Sequence, residues 1–159
     1  MTIRIRVRLT EHYRITNGNS KRMDSIDLKE IVTNPEIIDA IFKDETFSLS
    51  ELTVLKVHLN NYNRTAFMHA DLNKFPTNPP KKWVIKKFNT AQITLQIIDI
   101  DQFRCDGLFI EQEKANLNII KRGDRLAINL FTNNVYLSVA AGWLQIDKIE
   151  GYQKDVDIN

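Results

Sequence analysis

The sequence predicts a mainly β protein, built as a five-stranded barrel with one helix before the fourth strand and an N-terminal strand–helix extension. Three observations carry this reading. Apolar and polar residues alternate around Leu55, Val57 and Leu59, around Ile93, Leu95 and Ile97, and across 124–131 and 135–139, the two-residue period of a half-buried strand. Helical spacing is confined to short stretches. Turn-forming residues separate the alternating runs: Asn17-Gly18-Asn19, the prolines of 73–80, and Thr132-Asn133-Asn134. The 159 residues, 43% hydrophobic and 26% charged, suit one folded unit with a core large enough to need neither disulfide nor metal.

The elements follow in order. Residues 2–15 read as a strand, with Ile3, Ile5, Val7 and Leu9 on one face and Arg4, Arg6 and Arg8 on the other. A short helical turn is expected around Ser25 to Ile31. Asn34 as a cap, Pro35 at the first helical position and Glu36 at the positive end of the dipole open a helix whose apolar stripe is Ile37, Ile38, Ile41 and Phe42. From Phe47 the pattern is extended, and Asn60-Asn61-Tyr62-Asn63 is either a turn or a bend in one long strand. Residues 73–80 are a loop, and Lys81 to Asp101 reads as strand again. A short strand at 107–110 and a helix over 111–120 follow, the helix turning Leu117 and Ile120 inward. Two strands, 124–131 and 135–139, form a hairpin, and Trp143 to Ile149 extends or follows the second. Trp143 is expected to close the barrel end. These elements divide the chain into an extension (1–46), a barrel (47–150) and a tail (151–159).

Charge is laid out in blocks. Residues 1–22 hold six basic residues against Glu11, and 23–71 hold nine acids against four basic residues. Residues 72–98 hold five lysines and no acid, and 99–113 hold five acids against Arg104. Such blocks imply a cationic face, or faces that neutralise one another on folding. Cys105 is the one cysteine and cannot close a disulfide within the chain, which fits a reducing compartment. The expected location is intracellular, and nuclear in a eukaryote. No apolar run approaches a membrane span, the N-terminal alternation contains no export-type apolar stretch, and five glycines leave little for Gly-rich nucleotide loops.

Five strands with a helix before the fourth is the order of an OB-like barrel. Particular residues support it: Ile119-Ile120 followed by Gly123-Asp124, Leu126 to Leu130, Val135 to Val139, and upstream 95–101 (LQIIDID) and 107–112 (GLFIEQ). This stretch resembles OB-fold single-strand-binding proteins of the replication protein A and telomere-end-binding group. The resemblance implies a binding module in a replication- or telomere-type complex, with single-stranded DNA or RNA and other subunits as partners. The longer acidic segment DIDQFRCDG and residues 1–46 depart from that pattern.

The candidate binding stretch is NKFPTNPPKKWVIKKF. Lys74, Lys81, Lys82, Lys86 and Lys87 interleave with Phe75, Trp83 and Phe88. Cations track phosphates and aromatic faces stack on unpaired bases, at about 1–3 kcal/mol per base. The competing reading makes Trp83 and Phe88 core residues and the lysines a solvated edge. Phe103 and Arg104 could add a ring and a cation, against acidic neighbours that repel phosphate. Arg4, Arg6 and Arg8 form a second cationic face, suited to a protein partner or to the acidic helix bearing Glu36 and Asp39. An alternative function is therefore a protein-interaction barrel with no nucleic-acid contact. No enzyme, metal or cofactor is expected. His69 and Asp71 lack a third ligand at metal spacing, Cys105 sits among acids that disfavour a nucleophilic thiolate, and the pairs Asp99/Asp101 and Glu111/Glu113 read as solvated carboxylates.

Overall fold

The computed structural model describes residues 27–43, 45–110 and 113–155. Their elements are α1 (Leu28–Ile31), α2 (Glu36–Phe42), β1 (Leu52–Asn60), β2 (Thr65–Asp71), α3 (Lys81–Ile85), β3 (Thr90–Asp106), β4 (Lys114–Arg122), β5 (Arg125–Phe131) and β6 (Tyr136–Tyr152). Six antiparallel strands close into a ring in the order β1-β2-β3-β6-β5-β4. The mainly β reading holds, but with six strands rather than five. The expected strand at 2–15, and with it Arg4, Arg6 and Arg8, lies outside the described residues.

Several elements differ from expectation for physical reasons. The segment expected as a helix over 111–120 is strand β4 from Lys114 onward, pairing with β5 from Asn116↔Phe131 to Arg122↔Arg125. Leu117 and Ile119 alternate against Leu130 and Ile128, the two-residue period of a strand rather than the helical one that Leu117 and Ile120 suggest. The first five residues of the expected strand 81–101 form α3 instead, placing a helix between β2 and β3 and none before β5. Residues 61–64 are a turn, so β1 and β2 form a hairpin. Residues 107–110 are not a strand. The hairpin at 132–134 is present, and β6 runs unbroken past Trp143.

The spine of the ring is the antiparallel pairing of β3 with β6, two 17-residue strands that pair from Thr90↔Tyr152 to Asp106↔Tyr136, with register shifts between Thr94 and Leu95 and between Ile100 and Gln102. One half of the ring, β1-β2, hangs on β3, and the other, β4-β5, hangs on β6. The inward rows are Ile93, Leu95, Ile97 and Ile100 on β3 and Leu137, Val139, Ala141, Leu144 and Ile146 on β6, all buried. Both rows slip phase at one level. Ile97 and Ile100 point inward with two residues between them, as do Ala141 and Leu144. Asp99 takes up this slip with a φ of 58°, and Gly142 lies beside it.

An ion cluster pins the slip. Arg125 of β5 donates to Asp99 Oδ2 at 2.6 Å and to the Asp99 carbonyl at 2.7 Å, and pairs with Asp101. Arg64, entering β2, pairs with Asp99, and its Nε donates to the Ile100 carbonyl at 3.1 Å. Gly142 lets this cross, because a Cβ there would lie 2.9 Å from Asp99 Oδ2 and 3.0 Å from Arg125 Nη1. The Arg125 hydrogen bond holds the Asp99 carboxyl below its usual range, helped by the charges of Arg64 and Arg125.

The segment joining α1 and α2 covers an open edge of the ring. β5 pairs with β6 only between Leu126↔Ala141 and Phe131↔Tyr136, leaving the β6 edge beyond Ala141 open. Thr33 N–H donates to the Leu144 carbonyl at 3.1 Å. The Asn34 amide donates to the Ile146 carbonyl at 2.7 Å and accepts from Ile146 N–H at 2.9 Å. Asn34 therefore pairs with β6 as a strand residue would, rather than capping α2. Ile38 and Phe42 of α2, with Leu28 and Val32, join the buried cluster of the ring.

Two outcomes follow from these contacts. Asn34→Ala should lower stability by about 2 kcal/mol in urea unfolding, since it leaves two backbone groups of β6 unpaired. Asp99 has a lower pKa folded than unfolded, so its contribution is complete above the ordinary carboxylate value of about 4 and fades as pH falls through the lower folded value. Urea midpoints of the wild type and Asp99→Asn should therefore converge as the pH drops below about 4.

Candidate interaction site

The stretch singled out by its lysines and aromatics becomes the knob α3. Pro79 and Pro80 end the preceding loop, and the Pro80 carbonyl accepts from Trp83 N–H at 2.8 Å to open one helical turn. Lys87, with a φ of 55°, closes it, donating from its N–H to the Val84 carbonyl at 3.0 Å. Asn89 then ties the exit to the end of β6. Its N–H donates to the Tyr152 carbonyl at 3.1 Å, its amide donates to the Lys154 carbonyl at 2.8 Å, and its amide oxygen accepts from Lys154 N–H at 2.7 Å.

A single helical turn cannot hold itself together, so its packing decides its geometry. Trp83 supplies the anchor. It is 7% exposed, lies with its ring centroid 5.7 Å from that of Phe75, and faces the backbone of Gly151. A Cβ at Gly151 would sit 2.5 Å from Trp83 Cδ2, so only glycine admits the indole at this distance. With Trp83 turned inward, Val84 and Ile85 point out, 61% and 80% exposed. Lys81, Lys82, Lys86 and Lys87 are exposed around them.

The other predicted residues separate. Lys74 is held by Glu45 at 2.9 Å, and Glu45 also accepts from Thr77 N–H and Oγ1. The Lys74 hydrogen bond, foremost, lowers the Glu45 pKa. Lys74 thus fastens the loop rather than adding to the cationic knob. Phe75 and Phe88 pack partly buried against the core, with Lys86 Nζ 5.8 Å from the Phe88 ring centroid. Phe103 and Arg104 are at the opposite end of β3 from α3. Phe103 packs against the core, and Arg104 is paired with Asp106 at 2.8 Å. Trp143 does not close the barrel end, because it is 50% exposed opposite Ile98. His69 shares a hydrogen bond with Thr94 at 3.1 Å.

Sequence reasoning missed two clusters. Arg64, Asp99, Asp101 and Arg125 come from three separate parts of the chain, and no local spacing announces them. Behind α3, Asp71 is buried and accepts from Tyr152 Oη at 2.7 Å and Lys154 Nζ at 2.9 Å. Burial first, and then the Asp71 carboxylate, push the Tyr152 phenol up to about 12. Val84 and Ile85 were also missed, since a strand would have buried one of the two.

For Trp83, packing favours the core reading. Base stacking needs an open aromatic face, and Trp83 has none to give. Replacing Trp83 should therefore unsettle the fold itself. Trp83→Ala is expected to cost about 3–5 kcal/mol in thermal or urea unfolding. A stability change below about 1 kcal/mol would show that the indole is not the anchor.

No helix among the described residues is long and apolar enough to cross a membrane. Neither curated proteins nor solved structures give a match to this chain. Residues 34–152 match the family model Imm50, described as Immunity protein 50. This overturns the expectation of a single-strand-binding subunit of a replication- or telomere-type complex, with DNA or RNA as partner. It favours the alternative, a barrel that binds protein. The match takes in α2, α3 and all six strands, and the chain belongs to the Immunity protein 50 family.

Proposed function

We propose that this chain is an immunity protein that protects the cell making it by binding a toxin protein and holding it inactive. The observation that carries the reading is the family match over residues 34–152. The protein acts by occupying a surface of the toxin, with no covalent chemistry of its own. A ring closed by hydrogen bonds between strands supports this, because a rigid scaffold pays little ordering entropy when its surface is covered. An exposed apolar pair ringed by lysines supports it as well, since protein interfaces join an apolar centre to a polar rim. The reducing interior of the cell is the expected place of action, where the exposed Cys105 stays a free thiol.

The test is genetic. Deleting the gene from its host should make that strain sensitive to its own parent strain in mixed culture. Re-expressing the full chain should restore survival. A deletion strain that survives beside its parent as well as the parent itself would remove the reading.

A further inference from the structure

Lys81, Lys82, Lys86 and Lys87 share one helical turn and its exit, and none of the four is in an ion pair among the described residues. Like charges so close repel one another, and no carboxylate in the turn offsets that, Lys86 alone lying over a ring, 5.8 Å from the Phe88 centroid. At the centre of these charges stand Val84 and Ile85, 61% and 80% exposed. The position is held firmly: Trp83 is wedged against Gly151, and Asn89 is doubly bonded to Lys154. An exposed apolar pair, a surrounding ring of unneutralised cations and a rigid mount together describe one half of an interface.

We infer that α3 is a docking knob for an acidic surface of the toxin. Val84 and Ile85 enter an apolar recess there, and the four lysines meet Asp and Glu side chains around it. This rests on the reading of the chain as a toxin-binding immunity protein. Charge complementarity selects the partner. Carboxylates at the rim speed encounter and exclude wrong partners, while the apolar centre supplies contact that a phosphate backbone would not use. A nucleic acid is disfavoured because the aromatic side chain of the turn faces inward. A membrane surface is disfavoured because two apolar side chains bury too little to anchor a protein.

The deletion strain supplies the test, complemented with the full chain or its variants and grown with the parent strain. The first variant replaces all four lysines by Glu, the second replaces them by Arg, and the third carries Val84→Asp with Ile85→Asp. Each is checked for an unchanged melting temperature. Protection lost with Glu and with the Asp pair, but kept with Arg, is the expected result. In binding to the toxin recovered with the tagged wild-type chain, the Glu variant should lose about a hundredfold or more in affinity. Protection by the wild type and by every variant alike would overturn the inference and leave the immunity function standing. Failure of the wild type itself to protect would remove both.

Should the Glu variant melt early, zero-length carbodiimide coupling of the wild-type complex reads the contact without substitution. Adducts joining these lysines to toxin carboxylates support the inference, and adducts confined to other lysines overturn it. Co-sedimentation with phosphatidylglycerol vesicles that the Glu variant loses while still protecting would assign the knob to a membrane and also overturn it.

Discussion

The ring depends on the pairing of β3 with β6. Each strand is 17 residues long and each carries half of the sheet as well as half of the ribbon. Strands of this length cannot stay straight and still close a small ring, so the ribbon has to coil. The pairing shifts register between Thr94 and Leu95, and one bend lies where Asp99 adopts its left-handed backbone and the inward rows of both strands slip phase. Left to itself, such a residue would be strained. Arg125 from one flank and Arg64 from the other hold it, so the same cluster that fixes the bend joins the two halves of the ring. The cluster is partly exposed, and its value lies in geometry more than in the strength of any single ion pair.

A long ribbon with shorter neighbours leaves open edges, and open edges invite unwanted pairing. The chain fills them with non-strand segments. Thr33 and Asn34 cover β6 where β5 ends. Leu49 and Glu51 meet β4 beyond its short contact with β1, through the Leu117 N–H to Leu49 carbonyl bond and the Glu51 N–H to Asn116 bond. Between them these segments stand in for strands at low cost in residues, and they draw the N-terminal helices into the common core.

The end of the ribbon is also the base of α3. Gly151 receives the Trp83 ring, and Asp71, Tyr152 and Lys154 form a hydrogen-bonded group behind it. A turn of five residues is thereby given the firmness of a longer element. The lysine and aromatic interleaving that suggests nucleic-acid binding arises here from a simpler demand. One large side chain anchors the turn, and the rest of the turn faces water. Burial of the indole turns a stacking surface into a structural wedge, and what remains exposed is apolar in the centre and cationic at the rim.

Local pattern alone determined a good part of this protein. Alternation at Ile93–Ile97 and Leu126–Leu130, the turn at Thr132-Asn133-Asn134, the short helix near Ile31 and the helix opened by Pro35 follow from side-chain period and backbone preference, which act within a few residues. The lysine cluster was legible for the same reason, since charge is a property of the sequence wherever it folds. The tertiary structure decided the rest. It made β4 a strand where Leu117 and Ile120 suggested a helix, because the open flank of β5 needed a partner. It converted 81–85 from strand to knob, because Trp83 found its cavity at Gly151, far along the chain. It brought Arg64 of the β1–β2 turn, Asp99 of β3 and Arg125 of β5 together. Contacts between distant segments carry no signature in either segment alone, because the energy that selects them exists only once the ring has closed.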